Sequence, residues 1–293
     1  MPSRKYGSPP EGPSRTPPEF RYPGDIRRVR FRERKNRFLV EVEGPSGTVF
    51  PAHLRNPGRM RELLREGDTW GHVVSASPGS PRSTRWTLVD VESPADPSIL
   101  VSVDAVITNH LVHQWLGEGG HFPEVSAWGP WRREVPWMDC RFDEGSVGGI
   151  PGAPPRALLE VKSSNLRGGP AALFPDAPTR RGAHHVDRLT EFASSGGRAA
   201  LLFVAQRCDV REIRPYGAMD PRFSRTVERA AAAGVHILGC RVRVRPGGIR
   251  FAGRLPVRAP RWTPLGPPEE GHHAPPRRRN RGGTFRGRQG FPS

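Results

Sequence analysis

Three side chains in the middle of the chain, Asp143, Glu160 and Lys162, could act together on a phosphate. Glu160 and Lys162 sit in the run Ala157-Leu-Leu-Glu-Val-Lys162, which reads as a buried strand with charges set into it. Side chains repeat with period two along a strand, so these two share a face. Charges beside a leucine run are costly unless they are paired or bind a metal. Asp143 lies 17 positions before Glu160, at the end of the strand-like Cys140-Arg-Phe-Asp143. If the two strands pair, the Gly/Pro-rich segment 145–155 forms their loop and the three side chains converge. Two carboxylates can then hold Mg²⁺ (or Mn²⁺) through hard oxygens, with the Val161 carbonyl as a further ligand. Such an ion makes bound water more acidic and offsets charge on a phosphate oxygen. Lys162 would orient the water or stabilise the developing charge. This is the chemistry of a nuclease with an Asp…Glu-x-Lys signature.

Other residues could join this site. Glu134 is either a fourth acid near the metal or an ordinary strand-edge glutamate. Asp176 follows Pro175 in a turn, so it either bonds locally or touches substrate. Arg181 and His185 are four apart on one face of a helix beginning near Thr179, from which they could reach a phosphate beside the metal. His184 reads as surface. Asn56, Gly58 and Arg59 stand where a small barrel could meet nucleic acid; a plain turn before a helix start fits them equally. Trp70, Trp86 and Trp115 read as core, with base stacking a minor role open to Trp86.

The elements around these residues follow from pattern. Arg37–Glu43 alternates like a half-buried strand, Gly44–Gly47 turns, and Thr48–Leu54 returns. Asn56-Pro57-Gly58 breaks the chain before a short helical stretch, Arg59–Arg65. Strand-like runs follow at Thr69–Ala76, Arg85–Val91 and Ile99–Val103. Five short strands and one small helix suggest an OB-like barrel over residues 26–104. Asp104 is a plausible N-cap for a helix whose buried face carries Val106, Ile107, His110, Leu111 and Trp115. A mostly irregular piece leads to the Glu134–His185 stretch. Helix Thr179–Ser194, strand Arg198–Ala205, helix Asp220–Ala233 and strand Val235–Val244 alternate, which implies an α/β layer over residues 105–250 with parallel pairing.

The 293 residues carry a net charge of +17, with only 35% hydrophobic residues. Both ends are rich in Pro, Gly and Arg, so residues 1–25 read as a disordered lead and 251–293 as a basic disordered tail. In the tail, Arg277, Arg278, Arg279, Arg281, Arg286 and Arg288 face no acid. The charge suits a polyanion partner, DNA foremost and RNA as the variant. Cys140, Cys208 and Cys240 lack zinc or redox spacing. The absence of an apolar leader or a run of roughly 18 apolar residues points to a cytoplasmic chain without a membrane partner. Oligomeric state is not legible.

From about Arg37 to Arg243 the sequence resembles the sugar fermentation stimulation protein A (SfsA) family. Asn56-Pro-Gly-Arg-Met60, Glu134-Val135, Arg141-Phe-Asp143, Glu160-Val-Lys-Ser163, Leu173–Thr179 with Arg181-Gly182 and His185, and Leu202–Gln206 carry the likeness. The resemblance implies an OB-like N-terminal β-barrel followed by a PD-(D/E)xK, restriction-endonuclease-like α/β domain that binds DNA. It favours Asp143 over Asp139, a rival metal carboxylate, and adds Arg181 and His185 to the site. The sequence departs from the family at Glu144, where an aromatic is usual, and at Pro136–Asp139, where a smaller turn is common. The expectation is a DNA-binding protein with a metal-dependent nuclease site. The alternative is a catalytically silent DNA-binding regulator of sugar (maltose) metabolism on the same fold, and a more distant one is a sugar-linked regulator acting through a partner protein.

Overall fold

The structure, a computed structural model, describes residues 19–258 except 77, 78, 80–83 and 149–152. Most of the expected lead and tail lie outside the described residues. The described chain begins with β1 (Phe20–Arg21), which pairs with a strand near the far end of the chain, so ordered structure starts inside the expected lead. The barrel follows: β2 (Ile26–Asn36), β3 (Leu39–Glu43), β4 (Val49–Leu54), β5 (Trp70–Ser75), β6 (Trp86–Ser93) and β7 (Asp96–Ser102). Its sheet runs β4-β3-β2-β5-β6-β7, and a further β4–β6 pairing closes a ring of five strands. The ring members differ from those expected. β2 belongs to it, although it is a run of arginines in which only Val29 and Phe31 are buried. The strand expected at Ile99–Val103 is β7, outside the ring. Residues 59–65 form turns, not a helix; Met60 takes a positive φ of 47°, which interrupts α-helical geometry.

Asp104 caps α1 (Ala105–Glu118), accepting from the Val106 and Ile107 N–H groups. The buried face differs by part of a turn from the expected one: Ile107, Thr108, Leu111, Val112, Trp115 and Leu116 point inward, while Val106 and His110 are exposed. After α2 (Pro123–Ser126), the stretch expected to be irregular already becomes β8 (Trp131–Trp137). Next come β9 (Cys140–Val147), β10 (Pro155–Ser164), β11 (Leu166–Gly168) and β12 (Ala171–Phe174). The last two have no counterpart among the strands expected from sequence. Then α3 (Arg180–Ser194), β13 (Arg198–Ala205), β14 (Glu212–Pro215), α4 (Pro221–Ala232), β15 (His236–Arg245) and β16 (Gly248–Arg254) complete the chain, carrying paired structure past residue 250.

The main sheet has the order β1-β16-β15-β13-β10-β9-β8, with β10, β13 and β15 parallel. It is covered on both faces. Leu158, Leu201 and Phe203 pack into one core with α3 and α4; Leu159, Val161, Leu202 and Val204 pack into another with α1 and α2. This is why β10 and β13 are nearly continuous apolar runs rather than alternating ones. The parallel pairing of β12 with β14 builds a small side sheet.

Buried polar bonds join barrel and sheet. Asp104, fully buried, takes the Arg55 guanidinium and the Tyr22 hydroxyl, the latter at 3.0 Å. Arg207 donates to Ser93 Oγ at 2.8 Å, and the Ser102 N–H donates to the Gln206 carbonyl at 2.9 Å.

Candidate active site

Glu160 lies at the centre of β10, where its neighbour β13 stays in register to Ser164 while pairing with β9 reaches only Leu159 opposite Glu144. The sheet therefore splays on the β9 side just where the acids stand. The Val161 N–H, without a β9 partner, donates to Asp143 Oδ2 at 2.7 Å. Asp143 thus lies within β9 rather than at its end, and its carboxylate substitutes for the missing ladder bond. Its other oxygen accepts from Asn109 Nδ2 on α1 at 2.6 Å.

Glu160 is 4% exposed. Its Oε1 accepts from the Lys162 ammonium and from His185 Nδ1, the latter at 2.9 Å. Arg181 Nε faces His185 Nε2 at 3.4 Å, so the imidazole proton belongs on Nδ1, toward Glu160. Glu160 Oε2 is buried with no hydrogen-bond partner. Thus β10 and the first turns of α3 bring Glu160, Lys162, His185 and Arg181 into one hydrogen-bonded group, and β9 sets Asp143 close enough to feel the Glu160 and Lys162 charges. Thr179 positions α3 by capping it through the Gly182 N–H at 3.0 Å. The Thr179 N–H in turn donates to Asp220, which also caps α4.

Electrostatics separates the two acids. Burial, then the neighbouring Glu160 charge, raise the Asp143 carboxyl to about 7, despite Lys162 and the Val161 N–H. Burial also opposes ionisation of Glu160, but Lys162 and the His185 hydrogen bond outweigh it and hold that carboxyl below its ordinary value. The donor set fits a hard divalent cation: two carboxylates, one of them with a buried, unpartnered oxygen, and a second whose proton an ion would displace.

The remaining expected residues lie elsewhere. Glu134, on β8, is exposed, with a positive φ of 56°, and is close enough to Asp143 to raise its carboxyl slightly. Asp139, in the β8–β9 turn, is 53% exposed; Arg188 and His184 bind it at 2.7 and 2.9 Å, and its carboxyl is lowered to about 2, chiefly by the Arg188 hydrogen bond. Asp139, Cys140 and His184 do bring ligand atoms within 4.8 Å of one another, but Arg188 already occupies the carboxylate. Asp176 accepts from the Met60 N–H at 3.2 Å and bridges the two halves of the molecule. Asn56 is 6% exposed and faces Asn165 at 3.4 Å, which places its amide in the same join, away from solvent. Arg59 is exposed at the rim.

Sequence reasoning missed Asn109, His113 and Glu144. Glu144 is fully buried on the α1 side; His113 Nδ1 meets its Oε2 at 2.9 Å, and its Oε1 has no partner. Asn109 and His113 are four apart, one helical turn, and engage the consecutive acids Asp143 and Glu144. The signal was that spacing together with an acid inside an apolar strand.

The family model for the sugar fermentation stimulation protein RE domain matches residues 106–248, and that for the SfsA N-terminal OB domain matches residues 33–103. The sugar fermentation stimulation protein homologs of Halorhodospira halophila and Desulforamulus reducens are 37% and 36% identical to this chain over 232 residues. Each alignment covers 78% of this chain, and 94% and 90% of the respective relative. A solved structure described as Pyrococcus furiosus SfsA in complex with Ca²⁺ superposes with a TM-score of 0.70 at 24% identity, covering 82% of this chain and 98% of that one; it shows the shared fold.

Proposed function

Because the chain belongs to the sugar fermentation stimulation protein family, we propose that its splayed-sheet site hydrolyses phosphodiesters in nucleic acid, with DNA as the first substrate to test and RNA the second. The observation that carries this reading is the buried pair Asp143 and Glu160, with Glu160 Oε2 unpartnered and Lys162 on the same strand face. Asp143 and Glu160 would hold Mg²⁺ or Mn²⁺; the P. furiosus relative is described with Ca²⁺, another hard cation. The bound ion would supply charge for the phosphate and a more acidic water. Lys162 would then be released from Glu160 to orient the attacking water. His185 keeps Glu160 oriented through Nδ1, and exposed Arg181 can leave His185 to meet a phosphate oxygen. The charge of +17 supplies sequence-independent attraction.

The second reading is a DNA-binding regulator of sugar metabolism that does not cut. It is favoured by the Lys162–Glu160 pair, which neutralises the central acid from within. Incubating the purified protein with single-stranded DNA, duplex DNA and RNA, with Mg²⁺ or Mn²⁺, separates the two. Cleavage that disappears in Glu160→Gln and Lys162→Ala supports the hydrolase. Salt-sensitive binding without cleavage under either metal supports the regulator. Binding that ignores salt would refute both, because phosphate contacts release counterions.

A further inference from the structure

At the other end of the main sheet lies a cleft of about 820 Å³. Arg156 at the start of β10, Arg198 at the start of β13 and Arg132 on β8 line it, all exposed. Among the described residues no acid lines it, and none of the three arginines has an ion pair. Two tryptophans also line the cleft. Trp128 is half-buried against His236 at 5.0 Å, and Trp137 is half-buried against Phe192 at 5.1 Å. Gly129, Gly148, Gly196 and Gly197 line the cleft as well. The C-terminal end of α3 also faces the cleft, where its dipole would oppose an anion. Two of its last carbonyls, on Glu191 and Phe192, are already taken by Ser195 and Gly197 N–H groups.

We propose that this cleft seats an unpaired stretch of nucleic acid, its bases against Trp128 and Trp137 and its phosphates on Arg132, Arg156 and Arg198. Unpaired arginines alone would suit any anion; the tryptophans add a flat π surface, and that combination matches a base joined to a phosphate. Stacking on a tryptophan face needs a base freed from its duplex neighbours, so the tryptophans favour a single strand over a duplex. Ala157, which lines the cleft, precedes Glu160 on β10 by three residues, or about 10 Å. Buried Leu158 and Leu159 separate the two along β10, so a strand held here would reach Asp143, Glu160 and Lys162 round the exposed edge strand β8, past Arg132, Arg133 and Glu134. The inference rests on the nucleic-acid reading of that site.

The test is fluorescence anisotropy of a short labelled oligothymidine and of a blunt duplex, with the full chain and with Arg156→Ala/Arg198→Ala, whose exposed side chains leave the core untouched. The expected result is single-strand binding weakened about 10- to 100-fold, duplex binding unchanged, and a log K against log salt slope shallower by about 1.4 for two lost phosphate contacts. Trp128→Phe should also reduce the tryptophan quenching caused by oligothymidine. If the wild type binds both ligands and the variants bind oligothymidine equally well, the cleft assignment falls and the hydrolase reading stands. Equal weakening toward both ligands would make the cleft a general cationic surface and also overturn it. A wild type that binds neither ligand overturns both readings.

Discussion

Asp143 keeps its proton to about 7 because burial and Glu160 both oppose its charge. The folded state thus binds this proton more tightly than the unfolded chain, whose aspartate titrates near its ordinary 3.8. Its contribution is fully present below pH 3.8 and is lost as pH rises through 7. We expect the metal-free protein to lose thermal stability across that window, and Asp143→Asn to remove most of the slope; thermal melts at stepped pH check it. Adding Mg²⁺ at pH 8 should raise the melting temperature of the wild type and not of Asp143→Asn, because an ion binding only the folded state stabilises it. The shared face of Glu160 and Lys162 was legible because strand period and burial cost both act locally, whereas the choice of Asp143 over Asp139 rested on the family resemblance. Asn56 was not legible: nothing local shows that its partner, Asn165, is 109 residues away.

Helix α1 is held to β9 by two side-chain bonds one turn apart, Asn109 to Asp143 and His113 to Glu144. Glu144 already has one unpartnered oxygen, so His113→Ala would leave both without a hydrogen bond. The expected cost is about 1–3 kcal/mol in urea unfolding, and His113→Ala/Glu144→Leu should recover most of it, since removing both partners costs far less than orphaning one. β10 and β13 could be read from sequence as continuous apolar runs buried on both faces, and α3 from the helical period of its one buried face. β2 could not be read, because arginines hide it: Arg27 lies over Trp86 at 4.6 Å and Arg28 over Trp70 at 4.5 Å, which lets charged side chains cover the barrel. β11 and β12 were hidden by brevity, and β16 by its weak apolar pattern; each is stabilised by its neighbours in space.

At the scale of the molecule, the two family regions meet through buried polar groups, and the boundary residue Asp104 serves both. Removing its carboxylate strips α1 of a cap and Arg55 of its partner. We expect Asp104→Ala to cost about 3 kcal/mol, the lower end for breaking a buried ion pair, and to turn a single unfolding transition into two, by calorimetry. Gly58→Ala should act on the same join, since an added Cβ would stand 2.7 Å from Asp176 Oδ2. Among the described residues no helix is long and apolar enough to cross a membrane. The Met60–Asp176 bond spans 116 residues, which gives the fold a history as well as a shape. A ribosome adding about 5–20 residues per second would deliver Asp176 roughly 6–23 s after Met60. Through that interval the barrel would wait with its 56–60 loop unclasped, exposed to proteases and chaperones at one known place.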